Sequence, residues 1–258
     1  MRLATWNVNS LKVRLPHVLD WLSAHQPDVL CLQETKLEDT NFPGEAIHNA
    51  GYQVVYAGQK TYNGVAILAR SPLRDVVVGI PGWVDDQRRV LAATVGDTRV
   101  VCVYVPNGQS IDSDKYPYKL AWLSALSQYV RITLLGVKRV AVLGDFNIAP
   151  NERDVYDPVA LGEGILVSPA ERAAFVDLLA VGLVDAYALF EHIDPVFTWW
   201  DYRMAAFRRN MGLRIDHILL SAALTQLCVA WDVDKAPRKL ERPSDHAPVW
   251  VDLVGGDE

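Results

Sequence analysis

The candidate catalytic and metal-binding residues of this chain lie at the ends of apolar runs. The clearest case is VAVLGDFN at residues 140–147, where four apolar residues precede Gly144, and Asp145 and Asn147 follow it. Four apolar residues without alternation predict a fully buried strand, and Gly144 lets the backbone turn sharply after it. A rigid strand end would aim Asp145 and Asn147 together at a ligand. For this octapeptide alone, an Asx turn that closes a strand is an equal alternative.

Four more polar clusters border apolar runs. They are WNVN at 6–9, CLQE at 31–34, RIDH at 214–217 and SDH at 244–246. The five clusters are rich in Asp, Glu and Asn, with one well-placed His and no paired Cys, and such oxygen ligands suit Mg²⁺ or Mn²⁺. The sequence has no Ser-His-Asp elbow, Walker loop or Gly-rich dinucleotide turn. Phosphate ester hydrolysis needs this set: a metal on the phosphate oxygens, a carboxylate to orient water, and donors for the developing charge.

Predicted strands and helices along the whole chain hold these clusters in place. Apolar runs predict strands at 3–8, 28–33, 52–57, 65–69, 73–79, 89–95, 99–105, 140–143, 197–200, 214–220, 229–232 and 249–253. Helices are predicted at 14–25 with Pro16 in the first turn, at 43–50, at 116–135, and at 168–181 from the capping box of Ser168 and Glu171. Short strands in hairpin order, with helices in both halves, predict two packed sheets with helices outside. A doubly wound parallel sheet fits less well, and the segment 148–167 is predicted to be irregular.

Composition favours one ordinary globular domain spanning residues 1–258. Hydrophobic residues make up 50% and charged residues 22% of the chain, which is enough material for a large core. No linker divides the chain, so the polar clusters form one site only if the first and last strands meet. Cys31, Cys102 and Cys228 are far apart in apolar runs, and we expect free thiols in a reducing compartment. With no signal sequence and no apolar run of membrane length, the expected location is cytoplasmic, with no membrane partner.

The charge distribution is uneven along the chain. The net charge is −6, which by itself argues against a general nucleic-acid coat. Basic residues nevertheless concentrate late, at Arg203, Arg208, Arg209, Arg214, Lys235, Arg238, Lys239 and Arg242. A local patch acts within a Debye length of about 8–10 Å, so clustering can matter more than the total. A surface for nucleic-acid phosphates and a merely solvated basic face both remain open.

Six motifs together resemble one known family. They are WNVN (6–9), LQETK (32–36), YVPNG (104–108), GDFN (144–147), GLRIDH (212–217) and PSDHAP (243–248). They occur in the order typical of the exonuclease III type of abasic-site (AP) endonuclease, and the resemblance covers essentially the whole chain. Each motif is weak alone, but six in order are a strong signal. The resemblance implies a DNase I-like, four-layer α/β sandwich of two packed mixed sheets with outer helices, and a site at one end of the sheets.

The resemblance also implies a metal site. Glu34 resembles the family's principal metal ligand, supported by Asn7 and Asp245, whereas a Glu at a strand exit is otherwise usually solvated. The implied cofactor is Mg²⁺, for which Mn²⁺ can substitute. Some members carry Asp where this chain has Asn9. One resting metal is therefore expected, and a second one stays open.

Five residues match the family's catalytic positions. Asp145 resembles the residue that orients and deprotonates the attacking water, and Asn147 the donor to a nonbridging phosphate oxygen. His246 resembles the histidine that contacts the phosphate, with Asp216 fixing its tautomer and raising its pKa. Tyr104 resembles the tyrosine beside the phosphate. Without the motifs, a lone histidine is more often structural, and a tyrosine that ends a strand is commonly half-buried core.

The remaining matches concern the substrate. The family builds an apolar pocket for an extruded abasic sugar, and a missing base makes extrusion cheap. The residues that fall there are Trp199, Trp200, Leu213 and Ile215. Alternatively, one of these two adjacent tryptophans lies in the core and the other lies at the surface. The residues expected to bind DNA beyond this pocket are Asn9, Lys36, Asn107 and Arg203, with Arg208 and Arg209 on flanking phosphates.

The expected function is divalent-metal-dependent DNA repair by a monomer. The partner is double-stranded DNA with abasic sites, nicks or 3′ ends, and the activities are abasic-site incision, 3′-phosphatase and 3′-to-5′ exonuclease. One alternative keeps the fold and metal for a small or lipid phosphate ester, as in the inositol-phosphatase and sphingomyelinase relatives. Another is a non-enzymatic DNA-end or protein-interaction module on a dead nuclease scaffold. The tryptophan pair and the arginines after it favour DNA, and no motif shows a damaged core position.

Overall fold

The computed structural model describes residues 1–255 of the chain. The strands are β1 (Arg2–Asn7), β2 (Val29–Gln33), β3 (Gln53–Ala57), β4 (Val65–Ala69), β5 (Leu73–Val78), β6 (Val90–Val95), β7 (Thr98–Tyr104), β8 (Val140–Asp145), β9 (Leu183–Asp185), β10 (Trp199–Trp200), β11 (Gly212–Leu213), β12 (Asp216–Ser221), β13 (Cys228–Val233) and β14 (Val249–Leu253). The helices are α1 (Leu11–His25), α2 (Gly44–Asn49), α3 (Lys115–Gly136), α4 (Pro158–Leu161), α5 (Pro169–Leu179) and α6 (Ala222–Thr225). Within residues 1–255, no helix has the length and apolar character that crossing a membrane requires.

The strands form two mixed sheets and one small ribbon. Sheet one has the order β13-β14-β1-β2-β4-β3, and sheet two has the order β5-β6-β7-β8-β12-β9. Each sheet contains a parallel central pair, β1 with β2 and β7 with β8, and its other neighbours are antiparallel. Strands β10 and β11 pair separately. This topology is the predicted pair of mixed sheets and not a doubly wound parallel sheet.

Alternate side chains of the central strands enter different cores. In β8, Leu143 packs between the two sheets, whereas Val142 packs beneath α3 and α5. In β1, Leu3 packs between the sheets and Trp6 packs against α1. Helices therefore cover the outer face of each sheet, and the central strands are buried on both faces. This burial explains the unbroken apolar run of β8 and confirms the four-layer α/β sandwich.

Strand direction gathers the polar clusters at one edge of the sandwich. In sheet one, β1 ends at Asn7, and in sheet two, β8 ends at Asp145. Strand β12 runs antiparallel to β8 and begins at Asp216, which pairs with Asp145. Strand β14 runs antiparallel to β1, so His246, three residues before the start of β14, also lies at this edge. The first and last strands thus meet, as a single site requires.

Gly144 lies inside β8, and not at a turn beyond it as the sequence suggested. It pairs with Val103 of the parallel strand β7. A Cβ atom added to Gly144 would lie 1.8 Å from the Val103 carbonyl oxygen. A larger residue would therefore push the two strands apart one position before Asp145, so glycine is needed here for close approach of backbones.

Several element boundaries differ from the prediction where tertiary contacts act. Helix α1 begins at Leu11 and not at residue 14, so Pro16 lies inside the helix and not in its first turn. Backbone hydrogen bonds from Ser10 to Glu34 and from Leu11 to Thr35 fix this earlier start. No local pattern in the sequence contains that information. The capping box that begins α5 is present as predicted.

The stretch 148–167 is more ordered than the sequence predicts. Asn151 and Asp154 cap a 3₁₀ turn, and Asp157 caps α4. The Arg214 guanidinium fastens this stretch to the start of β12, because its Nε lies 2.6 Å from Asp154 Oδ1. Strand β9 was also not predicted, since three residues are too few to show a strand period.

Candidate active site

An asparagine joins the two sheets at the centre of the site. The Asn7 side-chain nitrogen donates to Glu34 Oε1 and to Asp145 Oδ2, at 2.9 Å each. The Asn7 side-chain oxygen accepts a hydrogen bond from the Asn9 backbone nitrogen. Asn7 ends a strand of sheet one and Asp145 ends a strand of sheet two. The Asn7 amide group is therefore hydrogen-bonded to one carboxylate from each sheet.

A buried imidazole lies between two aspartates. His246 Nδ1 is 2.8 Å from Asp216 Oδ2 and 3.1 Å from Asp216 Oδ1. On the other side of the ring, His246 Nε2 is 3.7 Å from Asp145 Oδ2. All three side chains are buried. The expected contact of His246 with Asp216 is thus present, and the free edge of the ring points toward Asp145.

Burial and mutual charge shift the pKa values of this group. Burial raises the pKa of Asp145 to about 7, and the Asp216 and Glu34 charges add to this shift against the opposing effect of His246. For His246, burial alone would lower the pKa, but Asp216 and Asp145 raise it to about 10. At neutral pH an imidazolium ion therefore lies beside a carboxyl group that exchanges its proton near neutrality.

A chain of polar contacts leads from Glu34 toward solvent. Lys36 Nζ lies 2.9 Å from Glu34 Oε2 and donates to Asn9 Oδ1 at 2.5 Å. Asn9 Nδ2 donates to Asp245 Oδ1 at 3.0 Å. Burial alone would raise the Glu34 pKa, but the charge of Lys36 and a hydrogen bond from Asn7 lower it. Glu34 therefore stays a carboxylate, with Lys36 as its present counter-charge.

Several residues of the site hold left-handed backbone conformations. The φ angles of Asn9, Glu34, Lys36 and Asn147 are 43°, 53°, 54° and 50°. Such angles cost about 1–3 kcal/mol each in non-glycine residues and persist only where other contacts fix them. One such contact is the hydrogen bond of 2.9 Å from the Lys36 nitrogen to the Asn63 carbonyl. These four residues all lie at the edge where the polar side chains converge.

Two asparagines and a tyrosine complete the polar wall on sheet two. Asn107 Nδ2 donates to Asn147 Oδ1 at 3.0 Å, and Asn147 Nδ2 donates to the Val105 carbonyl at 3.0 Å. The Asn147 backbone nitrogen donates to Asp145 Oδ1 at 2.9 Å. Burial, followed by the charges of nearby carboxylates, raises the pKa of Tyr104 well above its ordinary value. The Tyr104 hydroxyl is therefore a donor throughout the physiological pH range.

An apolar cluster adjoins the polar groups. Trp199 packs beside Leu213 and Ile215, and its indole nitrogen donates to Asp245 Oδ2 at 2.9 Å. Leu213 and Ile215 are each only 2% exposed. Residues of the 161–167 segment pack on the same cluster. In this conformation the expected sugar pocket is closed, with the half-buried Trp199 at its edge.

Two residues expected to touch substrate are engaged elsewhere. Trp200 is completely buried in the core between the sheets, where Phe207 contacts its ring. Adjacent residues of a strand point to opposite faces, so Trp200 supports the ribbon from behind while Trp199 faces the site. Arg203 is exposed but pairs with its neighbour Asp201, with Nη2 to Oδ2 at 2.6 Å. An exposed pair is worth little, so a DNA phosphate could exchange for Asp201.

Two residues absent from the expected set contact the site. The Tyr202 hydroxyl accepts from Arg14 Nη2 at 3.3 Å and from Asn9 Nδ2 at 3.4 Å. It donates to the Pro243 carbonyl at 2.9 Å. Tyr202 follows the tryptophan pair, which was a usable signal because the neighbouring residues were already assigned to substrate. Arg14 gave no signal, since a helix arginine is ordinarily a solvated residue.

The donor set suits a hard divalent cation. Carboxylate oxygens dominate the site, and no thiolate of the described residues takes part. Ligand atoms of Asp145, Asp216 and His246 lie within 4.8 Å of one another, but Asp216 already occupies one nitrogen of His246. The Glu34 side chain is 18% exposed, against 2% or less for Asp145 and Asp216. Of these three carboxylates, Glu34 is the one that solvent, and hence a cation, reaches most directly.

A two-sheet sandwich with such a carboxylate-rich site at one edge defines a class of metal-compatible phosphoester hydrolases. Residues 4–246 match the endonuclease/exonuclease/phosphatase family, and the chain belongs to this family. Within it, the chain is a member of the exonuclease III and AP endonuclease group. The family and the fold expected from the six motifs are confirmed.

Similarity to individual proteins extends over their full lengths. The chain is 34% identical to exodeoxyribonuclease III of Haemophilus influenzae, covering 98% of this chain and 100% of the relative. Among solved structures, the 3′ phosphatase NExo from Neisseria, bound to a product DNA hairpin, has a TM-score of 0.97 at 47% identity, covering 99% of this chain and 100% of that one. An AP endonuclease from Archaeoglobus fulgidus has a TM-score of 0.95 at 37% identity, covering 99% and 100%.

Proposed function

We propose that this chain is a DNA-repair hydrolase that acts, with Mg²⁺ or Mn²⁺, on phosphate esters at abasic sites and blocked 3′ ends of double-stranded DNA. The observation that carries the proposal is the placement of Asp145. Its two oxygens are held by the Asn147 backbone and the Asn7 amide, and His246 Nε2 lies 3.7 Å away. Relatives that share this architecture are named exodeoxyribonuclease III, 3′ phosphatase and AP endonuclease.

Asp145 is proposed to orient and deprotonate the attacking water. A general base works best when its pKa is close to the operating pH, and burial raises the pKa of Asp145 to about 7. Its carboxylate is fixed before substrate arrives, because Asn7 and the Asn147 backbone each donate to one oxygen at 2.9 Å. The proton of the water would pass to the Asp145 carboxylate as the oxygen attacks phosphorus. The P–O bond to the DNA ester oxygen would break, and that oxygen would leave with the bonding electron pair and take a proton from solvent.

Four donors are proposed to stabilise the charge that develops on the phosphate. The His246 imidazolium is supported by Asp216 and supplies positive charge. Tyr104 keeps its proton because burial raises its pKa. The side chains of Asn107 and Asn147 are the neutral donors, positioned by their own hydrogen bond. Fixed donors in a buried site stabilise a transition state more than mobile water does.

Glu34, with Asn7 and Asp245 in support, is proposed to hold the metal. When bound, Mg²⁺ would neutralise charge on the phosphate oxygens. The Glu34 carboxylate is ionised and reachable from solvent, and Lys36 provides the largest favourable positive charge beside it. Lys36 would then be released toward the DNA backbone, which gives this lysine its expected role in substrate binding.

The DNA is proposed to lie across the edge that carries the polar clusters. Arg203, Arg208 and Arg209 are exposed on the loop after β10 and would contact phosphates. The abasic sugar would pack against the half-buried Trp199, which Leu213 and Ile215 support from within the cluster. No second chain is needed to complete the site, so we propose that the monomer is active.

The test is turnover of three defined duplexes with Mg²⁺, each carrying an internal abasic site, a nick with a 3′-phosphate, or an intact 3′ end. We expect incision of the first or phosphate release from the second, loss of activity with a chelator, and recovery with Mn²⁺. The matched control is Asp145→Asn. Inositol phosphate and sphingomyelin serve as competing substrates. Faster turnover of either ester, or no product from any duplex, would reject the proposal.

A further inference from the structure

A buried ion pair connects the helices behind the site. Lys119 lies on α3 and Glu171 lies on α5, and both side chains are completely buried. Lys119 Nζ is 2.5 Å from Glu171 Oε1. Moving two charges out of water is costly, and a hydrophobic pair often stabilises a fold equally well. Stability alone is therefore a poor explanation for this pair.

The other two contacts of Lys119 point to the active site. Its ammonium group donates to the Asn147 carbonyl at 2.7 Å and to the Asn107 carbonyl at 3.1 Å. An ammonium group has three protons, so with Glu171 all three are used. The two carbonyls belong to the same two residues whose side-chain amides are hydrogen-bonded to each other at 3.0 Å. Lys119 thus binds the backbone of the two loops that carry these amides.

Glu171 extends the connection to a third loop. Its Oε1 accepts from the Leu166 backbone nitrogen at 3.1 Å, and its Oε2 accepts from the Ser168 nitrogen and hydroxyl at 3.1 and 2.7 Å. Leu166 has a left-handed φ of 73°. Its carbonyl accepts a hydrogen bond of 2.8 Å from the Ala149 nitrogen. The segment that closes the apolar cluster is therefore fixed by the same ion pair.

We infer that Lys119 is a positioning residue for the hydrolytic reaction, and that Glu171 holds it in place. Lys119 does not contact the substrate. It sets the positions of the Asn107 and Asn147 amides by binding their carbonyls, so that both amides face the phosphate together. This inference rests on the proposed function, because it requires these amides to donate hydrogen bonds to the phosphate of the substrate.

The main test is the double variant Lys119→Met/Glu171→Gln, which removes both charges and keeps similar volumes. Loss of one fixed donor to a developing oxyanion typically lowers kcat by about 10²–10³-fold, and misplacing two amides should lower kcat by at least about tenfold. KM for a 3′-phosphate duplex should change less than threefold, since the remaining binding surface is intact. An unchanged kcat in a folded double variant would overturn the inference.

A second measurement separates positioning from general structural support. If Lys119 acts through the Asn107 and Asn147 amides, the double variant should cost little further activity, within about twofold, in an Asn107→Ala/Asn147→Ala background. If the loss caused by the double variant is as large in that background as in the parent, Lys119 acts independently of these amides. The matched control is Leu126→Ala on the same helix, a fully buried residue that packs beneath sheet two and makes no contact with either carbonyl. It should lower Tm without lowering kcat of the folded protein.

A third measurement does not depend on activity. Hydrogen exchange should quicken in peptides spanning 105–109 and 146–150 in the double variant but not in Leu126→Ala. If the parent protein cuts no DNA, the proposed function fails, and this measurement still decides whether the ion pair orders the two loops. If the double variant does not fold, Glu171→Gln alone should show the same faster exchange and a smaller loss of kcat. Unchanged exchange in the folded variant would contradict the inference.

Discussion

Asp145 is the residue on which the proposed reaction depends most directly. Asp145→Asn keeps the shape of the side chain but cannot accept the proton of the water, and loss of a general base typically costs about 10²–10⁴-fold in rate. Binding of DNA should stay nearly unchanged. Single-turnover cleavage at saturating enzyme, with affinity measured separately, checks both expectations. A variant that cuts within about tenfold of the parent rate would remove Asp145 from the proposed role.

Glu34 provides the test of the metal site. Removing its carboxylate should weaken Mg²⁺ binding, because hard cations depend on ionised oxygen ligands, and Asp145 and Asp216 are deeply buried. In Glu34→Ala, activity at low Mg²⁺ should fall, and excess Mg²⁺ or Mn²⁺ should restore part of it. Calorimetric titration with Mg²⁺ alone measures the affinity without substrate. Equal affinities of the variant and the parent would exclude Glu34 as a ligand.

The contact of Asp216 with His246 predicts a pH effect of defined sign. The folded-state pKa of His246 is raised to about 10, with Asp216 the strongest favourable charge, so the parent keeps the imidazolium up to that pH. In Asp216→Asn this support is lost, and the imidazolium should lose its proton at lower pH. The alkaline fall of kcat should therefore move down by about one to three pH units. An alkaline limb at the parent position would show that His246 does not need Asp216.

For individual residues, the sequence motifs identified catalytic side chains better than they identified which side chains are buried or in contact. Asp145, His246 and Asp216 stand in motifs whose residue types and order signal their chemistry. The burial of Trp200 depends on which face of a two-residue strand it occupies, and no pattern that short shows this. Lys119 was missed because a lysine in an amphipathic helix is ordinarily solvated. Its burial follows only from the packing of α3 against α5.

At the scale of elements, a second buried network holds the loop after β8 against sheet two. Arg214 Nη1 lies 2.7 Å from Asp185 Oδ2 on β9, and Arg214 Nε lies 2.6 Å from Asp154 Oδ1. Removing one partner of a buried pair typically costs about 3–5 kcal/mol, because a charge is left uncompensated. Asp154 remains in Asp185→Asn, so a loss of unfolding free energy near the lower end, about 3 kcal/mol, is expected at pH 7.

The same variant should change the acid limb of stability. Burial alone would raise the Asp185 pKa, but Arg214 and His217 lower it far below the ordinary value. A depressed carboxyl pKa stabilises the fold above its unfolded value of about 3.9, and this contribution is lost as pH falls further. The parent should therefore lose more stability than Asp185→Asn between pH 4 and pH 2. Urea unfolding of both proteins at pH 7, 4 and 2 measures this, and parallel losses would contradict it.

Most elements were predictable because their signals are local. Fully apolar runs identified β4 and β8, and the Ser168 to Glu171 spacing identified the start of α5. The start of α1 was not predictable, because it depends on hydrogen bonds to a distant loop. Strand β9 was not predictable either, because it is only three residues long. The ordering of 148–167 depends on Arg214, which lies beyond that stretch in the sequence.

At the scale of the whole molecule, the two sheets carry different parts of the site. Sheet one supplies the exit of β2 with Glu34, and sheet two supplies Asp145 and Asp216. Asn7 connects them, so the reacting groups depend on how the two sheets pack. On the proposed function, a chain with net charge −6 would bind DNA through a local surface, for which we propose the exposed arginines after β10.

On the proposed function, the polar centre and the apolar cluster have different roles, so substitutions in the apolar cluster should separate abasic-site incision from 3′-end processing. Incision of an abasic site needs the sugar to leave the helix, whereas a 3′-phosphate at a nick already lies at a chain end. Trp199→Ala should therefore lower abasic-site incision more than removal of a 3′-phosphate. Asp145→Asn should lower both activities in proportion, because both reactions use the same centre. The measured quantity is the ratio of kcat/KM for the two duplexes.

Two features of Trp199 require controls in this experiment. Truncating a large buried aromatic typically costs about 3–5 kcal/mol, although Trp199 is only half-buried, so melting must be checked first. Its indole also donates to Asp245 Oδ2 at 2.9 Å, and Trp199→Phe removes that hydrogen bond while keeping an aromatic ring. If Trp199→Phe keeps the parent ratio and Trp199→Ala changes it, the ring lines the sugar pocket. If both variants lose the two activities equally, Trp199 supports the polar centre through Asp245 and does not distinguish lesions from ends.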